Sequence, residues 1–391
     1  MKKIIYFDNA ATSWPKPPQV ISAMQAFIEK IGANPGRSGH QLSTKAARVV
    51  FEVREGIADL FNVSDSENVV FTANATHAIN MALRGILKSG DHVITSSMEH
   101  NSVMRPLKYL EQTRGIDVGV VECGEQGEFN LEKFRDSFNK NTKLVVLTHA
   151  SNICGAIFPI AEIGRICKEN NVLFLVDAAQ TAGIYPIDML KDNIDILAFT
   201  GHKGLLGPQG IGGLCLRESI DIEPLMQGGT GSRSESDIQP EFMPDRLESG
   251  TLNTVGIAGL GAGLEFIAET GLQNILEHER RLAIKFLEEI ESMDKIEVFG
   301  CKDIEKQVPV ISFNIKGLKS SNVGYMLDKK HRIMCRVGLH CAPRAHKTLG
   351  TFPDGTVRFS FSYFNTFEEI DYVLDVLKDI VSFRIVSRIK E

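Results

Sequence analysis

The chain has 391 residues, 43% hydrophobic and 24% charged, a composition that excludes disordered, collagen-like and coiled-coil chains. Its 43 Lys and Arg against 49 Asp and Glu leave a formal charge of −6, so neither nucleic acid nor an anionic membrane surface is expected as the main partner. At ~100–200 residues per domain, the length predicts two or three domains, with a core that needs no disulfide or structural metal.

The predicted elements open with two helices. Val20, Met24, Phe27, Ile28 and Ile31 recur at helical spacing after Pro17-Pro18. Val49, Val50, Val53, Ile57, Leu60 and Phe61 do so after Ser43 or Thr44, either of which is a candidate N-cap. From Asn68 onward, short apolar strands alternate with helices. Strands are predicted at 69–72, 92–95, 118–121, 144–148, 173–176, 194–199 and 212–216, and helices near 76–88, 102–114, 130–138 and 160–170. That alternation argues a mostly parallel α/β sheet. The polar stretch 228–244 is the longest predicted loop. A helical pattern then runs from Asn253 to about Met293, followed by strands near 308–314 and 356–361. Phe367, Ile370, Val373, Leu374, Leu377 and Ile380 mark a closing helix. A domain boundary is expected near residue 260.

No uncharged apolar run reaches the ~18 residues of a membrane helix, and the run from Ile4 to Phe7 is too short for a signal-peptide core. The cysteines at 123, 154, 167, 215, 301, 335 and 341 form no C-x-x-C pair and no zinc spacing, so no metal site is expected. An odd, scattered set suits a reducing compartment. The expectation is a cytoplasmic protein, with no membrane and no nucleic-acid partner.

Four segments carry candidate chemistry. Phe199-Thr200-Gly201-His202-Lys203-Gly204 follows an apolar strand, and a lysine in such a turn can form a Schiff base with a carbonyl cofactor; a solvated loop lysine is the bland alternative. In Leu173-Phe174-Leu175-Val176-Asp177 a hydrophobic strand runs into an acid, which places a carboxylate where open α/β sheets bind ligands. It can pair with a pyridinium N–H or simply cap the next helix. Asn74-Ala75-Thr76-His77 is a strand-to-helix junction whose free N–H groups suit a phosphate. His100, in Met98-Glu99-His100-Asn101-Ser102, follows another strand end and could stack on a flat cofactor or move protons.

Taken in order, these segments resemble the class V aminotransferase family of fold-type I pyridoxal phosphate enzymes, and most closely its cysteine desulfurase / selenocysteine lyase branch. The matching stretches run from Tyr6-Phe7-Asp8-Asn9-Ala10-Ala11-Thr12 to Tyr363-Phe364-Asn365-Thr366, nearly the whole chain. The resemblance implies a large domain, residues 18–260, with a mostly parallel seven-stranded sheet flanked by helices. A smaller α+β domain of residues 1–17 and 261–391 would carry the nucleophile loop and the carboxylate-binding arginine. It implies pyridoxal 5'-phosphate as cofactor, Schiff-based on Lys203, which also shuttles the α-proton. Asp177 would hold the pyridine nitrogen, Gln180 would reach the ring oxygen, and His100 would stack on the ring. Thr76 with Ala75, Thr200 and His202 would form the phosphate site. Asn152, Arg358, Arg336 and His40 would face the substrate, Arg358 clamping its carboxylate as a guanidinium fork can. Glu248-Ser249-Gly250-Thr251 matches the stretch whose threonine reaches the neighbouring subunit's phosphate, which implies a homodimer.

Cys341, in Cys335-Arg336-Val337-Gly338-Leu339-His340-Cys341-Ala342-Pro343, matches the nucleophile. Arg336 and His340 lie near it in sequence, a setting that favours thiolates. The other cysteines read as small buried residues. Two departures stand out: Leu339 occupies a position often polar or aromatic in relatives, and Ala75 and His77 lie where Thr and Glu are usual. The implied reaction converts L-cysteine, or L-selenocysteine, to L-alanine, with a Cys341 persulfide passed to a sulfur-acceptor protein. An aminotransferase or C–S/C–N lyase that does not use Cys341 is the alternative.

Overall fold

A computed structural model of the chain describes residues 4–36, 39–218, 220–301 and 303–388. The first elements are β1 (Ile5–Tyr6), α1 (Pro18–Lys30), α2 (Gln41–Phe61), β2 (Val69–Thr72), α3 (Ala75–Ile86), β3 (His92–Ser96) and α4 (Asn101–Arg114). There follow β4 (Asp117–Val121), α5 (Leu131–Asp136), β5 (Thr142–Thr148), α6 (Ile160–Glu169), β6 (Leu173–Asp177), β7 (Ile196–Thr200) and β8 (Gly212–Leu216). No helix or strand occurs among the described residues between Leu216 and Thr254, which covers the predicted loop. Then come α7 (Thr254–Thr270), α8 (Leu272–Glu291), β9 (Ile296–Phe299), β10 (Val310–Ile315), α9 (Ser320–Met326) and β11 (Ile333–Met334). The chain ends with β12 (Arg336–Gly338), α10 (Pro343–Thr348), β13 (Thr356–Ser360) and α11 (Phe367–Arg388).

The apolar runs become a seven-stranded sheet in the order β2-β8-β7-β6-β5-β3-β4. Only β8 is antiparallel to its neighbours; the other pairings are parallel. Every residue of β2, β3, β7 and β8 is buried, as expected of strands covered by helices on both faces. One face packs on Ile57, Phe61, Ile163, Ile257 and Leu260, the other on Ile79, Leu83, Val103 and Leu107. Gly212 of β8 has no room for a side chain: a Cβ there would lie 2.8 Å from Asn74 Cα. Its absence lets the start of α3 sit directly on the sheet edge.

A four-stranded antiparallel sheet, β12-β13-β10-β9, follows in the C-terminal part. The N-terminal segment packs with it: β1 pairs parallel with β11 in a separate two-stranded sheet, and Ile5 and Phe7 enter the cluster of Phe286, Phe313, Phe359 and Val373.

One expectation changes. The cap of α2 is neither Ser43 nor Thr44 but His40, whose Nδ1 accepts from Ser43 N at 3.2 Å, because an unprotonated imidazole nitrogen can serve as acceptor where a hydroxyl usually does. Residue 260 lies inside α7, which packs against α1 and α2; the helix ends only at Gly271, with φ +85°. Among the described residues no single helix is long and apolar enough to cross a membrane.

One buried ion pair ties the irregular stretch to the sheet. Arg54 Nη1 and Nη2 donate to Glu248 Oε1 and Oε2, each at 2.9 Å, and Phe71 N donates to Glu248 Oε1 at 2.6 Å. Arg54 also donates to the Val69 carbonyl. Removing one partner leaves a buried charge uncompensated. Glu248→Ala should therefore cost about 3–5 kcal/mol, read as a lower urea midpoint with little change in slope.

Candidate functional site

The strand ends of the large sheet converge because parallel strands all point their carboxyl ends the same way. The β2–α3 junction presents Asn74, Ala75 and Thr76. His100 follows β3, Asn152 follows β5, Asp177 ends β6, and Thr200, His202 and Lys203 follow at the end of β7. These residues, with Ala10, Ala11, Ser102, Thr148, Ala179 and Gln180, line a cavity of about 280 Å³. Arg336 and Arg358 line it from the C-terminal sheet, where they are cross-strand partners on β12 and β13.

Asp177 is buried; Oδ1 accepts from Ala179 N at 3.0 Å and Oδ2 from Ser102 Oγ at 3.4 Å. Burial pushes its carboxyl up, opposed by the Ala179 N–H, the charge of Lys203 and the Ser102 hydroxyl. The same burial pushes Lys203 down to about 8, with Asp177 pulling the other way and Arg358 and Arg336 adding to the depression. Next to it, burial and the charges of Lys203, Arg336, Arg358 and Arg105 bring His100 to about 4, so its ring is neutral at neutral pH. Its Nδ1 caps α4, accepting from Ser102 N at 3.0 Å. Gln180 Nε2 donates to Ala10 O at 3.1 Å.

At the β2–α3 and β7 ends, the polar groups face the cavity with few protein partners. Among the described residues, Thr200 Oγ1 and His202 Nδ1 are buried without a hydrogen-bond partner, an arrangement that calls for a ligand, since buried polar atoms are rarely left unpaired. Burial and the charges of Lys203 and Lys16 hold His202 near 4. Beside it, Asn74 Oδ1 caps α3 through His77 N at 3.0 Å, and the N–H groups of Ala75 and Thr76 belong to the turn that a helix leaves unsatisfied.

Arg358 is 1% exposed. Nη2 donates to Asp8 Oδ1 at 2.7 Å and Nη1 to Asn152 O at 2.9 Å, while Nε has no partner. Asn152 Nδ2 donates in turn to the carbonyl of His340 at 2.8 Å, and Asn101 N donates to the carbonyl of Cys341 at 2.8 Å. Thus the loop before α10 is stitched to the cavity rim on two sides. Cys341 itself is exposed, and Arg336 Nη2 donates to its Sγ at 3.6 Å.

Two candidates stand apart from this cavity within one chain. His40 is exposed and caps α2. Thr251 is exposed; its neighbours Gly250 and Leu252 line a different cleft with Asn34, Arg54 and Glu248. Three residues emerge that sequence reasoning did not place in the site. Asp8, inside the N-terminal stretch that carries the resemblance, is the counter-charge of Arg358. Ser102 supports Asp177. Glu99, fully buried, accepts from Ser96 Oγ at 2.6 Å and Thr148 N at 2.9 Å, which joins the ends of β3 and β5 just before His100. Their signal in sequence is only proximity to the motifs; their partners lie up to 350 positions away.

Burial separates the thiols. It pushes Cys123 and Cys335 up to about 12, and Cys154, Cys167 and Cys215 upward as well. Substoichiometric iodoacetamide at neutral pH should therefore modify Cys341 ahead of these five, as peptide mass mapping would show; prior labelling of any of them would contradict this geometry.

Residues 5–373 match the aminotransferase class-V family. The chain is 37% identical to a probable cysteine desulfurase of Methanothermobacter thermautotrophicus, over 96% of this chain and 94% of that protein. It is 36% identical to a probable cysteine desulfurase of Pyrococcus abyssi, over 97% and 95% of the two chains. Its fold superposes on the apo structure of a cysteine desulfurase from Thermococcus onnurineus with a TM-score of 0.91, at 36% identity, covering 97% of this chain and 94% of the other. With strand order, strand-end chemistry and full-length similarity in agreement, the chain belongs to the class-V aminotransferase family.

Proposed function

We propose that the chain is a pyridoxal-phosphate-dependent cysteine desulfurase that takes sulfur from L-cysteine onto Cys341 and leaves L-alanine. The observation that carries this reading is the joining of two chemistries at one cavity. A depressed lysine and a buried aspartate lie at the strand ends, and an exposed cysteine, touched by Arg336, sits on a loop pinned to the rim.

The residues present fit the cofactor, because Thr200 Oγ1 and His202 Nδ1 are buried polar atoms in want of a partner beside the N-terminus of α3, a natural phosphate site. Asp177 would hold the pyridine nitrogen, Lys203 the aldehyde carbon, Gln180 the ring oxygen and His100 a ring face, with Thr76 and Ala75 joining the phosphate site. Bound pyridoxal phosphate supplies an electron sink that lets bonds at the substrate's α- and β-carbons be broken.

This chain's own residues supply the rest. Arg358 binds the substrate carboxylate and so orients the α-carbon. Asn152 braces Arg358 through its carbonyl, and Arg336 adds positive charge to that side. The Lys203 amine, unprotonated in a useful fraction near neutrality, takes and returns the α-proton. Thiolate at Cys341 attacks the substrate sulfur: the S–S bond forms, the Cβ–S bond breaks, and its electron pair leaves with the carbon fragment. Protonation of that fragment gives alanine, and the persulfide goes on to a sulfur-acceptor protein. L-selenocysteine fits the same site, its selenol ionising more readily than a thiol.

A homodimer accounts for the two candidates outside the cavity. Thr251, and with it His40, would reach the partner's site rather than their own. Exposed Ile21 and Ile28 on α1 and Phe51 on α2 support a buried interface. Within each protomer, a large domain of residues 18–260 and a smaller one of 1–17 and 261–391 would share the site. The seven unpaired cysteines suit the cytosol.

Two measurements test the reading. Lys203→Ala should yield colourless protein, whereas Cys341→Ala should bind the cofactor normally and lose sulfide release from cysteine by about two orders of magnitude or more. Full sulfide release by Cys341→Ala would favour a lyase that does not use this thiol. The second is a pH dependence. A lowered lysine pKa means that the nucleophilic neutral amine gains as pH rises through about 8. The rate at which apoprotein combines with pyridoxal phosphate should rise around that pH and then level off, well below the range of an ordinary lysine.

A further inference from the structure

Two consecutive non-glycine residues on the nucleophile loop occupy the left-handed region, His340 at φ +48° and Cys341 at φ +59°. Such a pair persists only where its surroundings hold it. The main chain is held by Ala342 N to Leu339 O at 2.9 Å and by the bonds from Asn152 and Asn101 to the two carbonyls. The His340 side chain is held separately. It is 3% exposed, and its Nδ1 lies 3.3 Å from Nε2 of His346, with the rings stacked at 24° and 5.5 Å between centroids.

His346, on α10 and wholly buried, places Nδ1 2.7 Å from Thr351 Oγ1. The turn is closed by Thr351 N and Phe352 N, which donate to His346 O at 2.8 and 3.1 Å. Burial, then the charge of Arg358, brings His340 to about 2 and His346 to about 4, so both rings are neutral. A neutral imidazole has one N–H. The hydrogen bond between the rings uses one donor and one acceptor, so the tautomers of both are set together with the orientation of the Thr351 hydroxyl. The other end of this pair is His340 Nε2, buried and, among the described residues, without a hydrogen-bond partner, while the Arg336 main chain also interacts with the ring.

We infer that Thr351 and His346 are positioning residues for Cys341: by fixing the tautomer and ring plane of His340 they hold the next residue in its left-handed conformation, with Sγ beside Arg336. This rests on the reading of Cys341 as sulfur acceptor. Neither residue touches the cavity that would hold cofactor and substrate carboxylate, so their loss acts on the sulfur-transfer step and leaves substrate binding alone.

The test uses the holoenzyme with Thr351→Val, which removes the hydroxyl at nearly constant volume, and Thr351→Ser, which keeps it. The rate of Cys341 alkylation by iodoacetamide is read beside kcat and KM for cysteine. Thr351→Val should lower both kcat and the alkylation rate about tenfold, with KM within about twofold, and Thr351→Ser should restore both. If Thr351→Val does not fold, Thr351→Ala takes its place with the same expectation. Wild-type kcat and alkylation in a variant without the hydroxyl would overturn the inference, as would equal losses in Thr351→Ser. Sulfide release by Cys341→Ala would instead defeat the desulfurase reading, while the alkylation rates still report on positioning.

Discussion

A guanidinium with 1% exposure needs a counter-charge and hydrogen-bond acceptors, since an unpaired buried ion costs several kcal/mol. Meeting that need for Arg358 draws together four separate stretches of chain: β13, the segment after β1 through Asp8, the loop after β5 through Asn152, and the nucleophile loop that Asn152 holds by its amide. Arg336 stands directly across the ladder from Arg358. Like charges so placed repel, which makes Asp8 still more necessary. Thus one ionic requirement fastens the C-terminal sheet and the N-terminal segment over the strand ends of the large sheet.

The same requirement sets the character of the cavity. Lys203, Arg336 and Arg358 outweigh Asp177 and Asp8, and the nearby imidazoles of His100 and His202 are kept neutral by burial and by these cations. An enclosure with excess positive charge, orphaned donors and a helix N-terminus favours a ligand with a phosphate and a carboxylate. That is the pair of anions presented together by pyridoxal phosphate and an amino acid. Lys203 is depressed first by its burial at the strand ends, with Asp177 opposing and Arg358 and Arg336 adding to the effect.

The nucleophile loop carries the opposite kind of cost. Each left-handed non-glycine residue costs on the order of 1–3 kcal/mol, and the loop has two in succession. Short hydrogen bonds from Asn101 and Asn152, and the stacked histidines, hold the loop in that conformation. If Cys341 takes sulfur as proposed, a loop held in one conformation keeps its thiol placed for that step.

The sequence by itself determined the α/β layering, most strand limits to within a residue or two, and the strand-end identities of Asp177 and Lys203. Those follow from local periodicity and from the rule that parallel strands gather their carboxyl ends. Its resemblance to a family named Cys341, Arg358 and the phosphate residues. Only the tertiary structure decided that Asp8 neutralises Arg358 across 350 positions, that Asn152 couples this arginine to the nucleophile loop, and that Thr351 and His346 stand behind His340. It also moved the cap of α2 to His40 and broke the helical stretch after Asn253 at Gly271. Periodicity reports which residues are buried; it says nothing of which polar groups meet once they are buried. That pairing is settled by packing, where each buried donor and charge must find a partner wherever the fold has brought one.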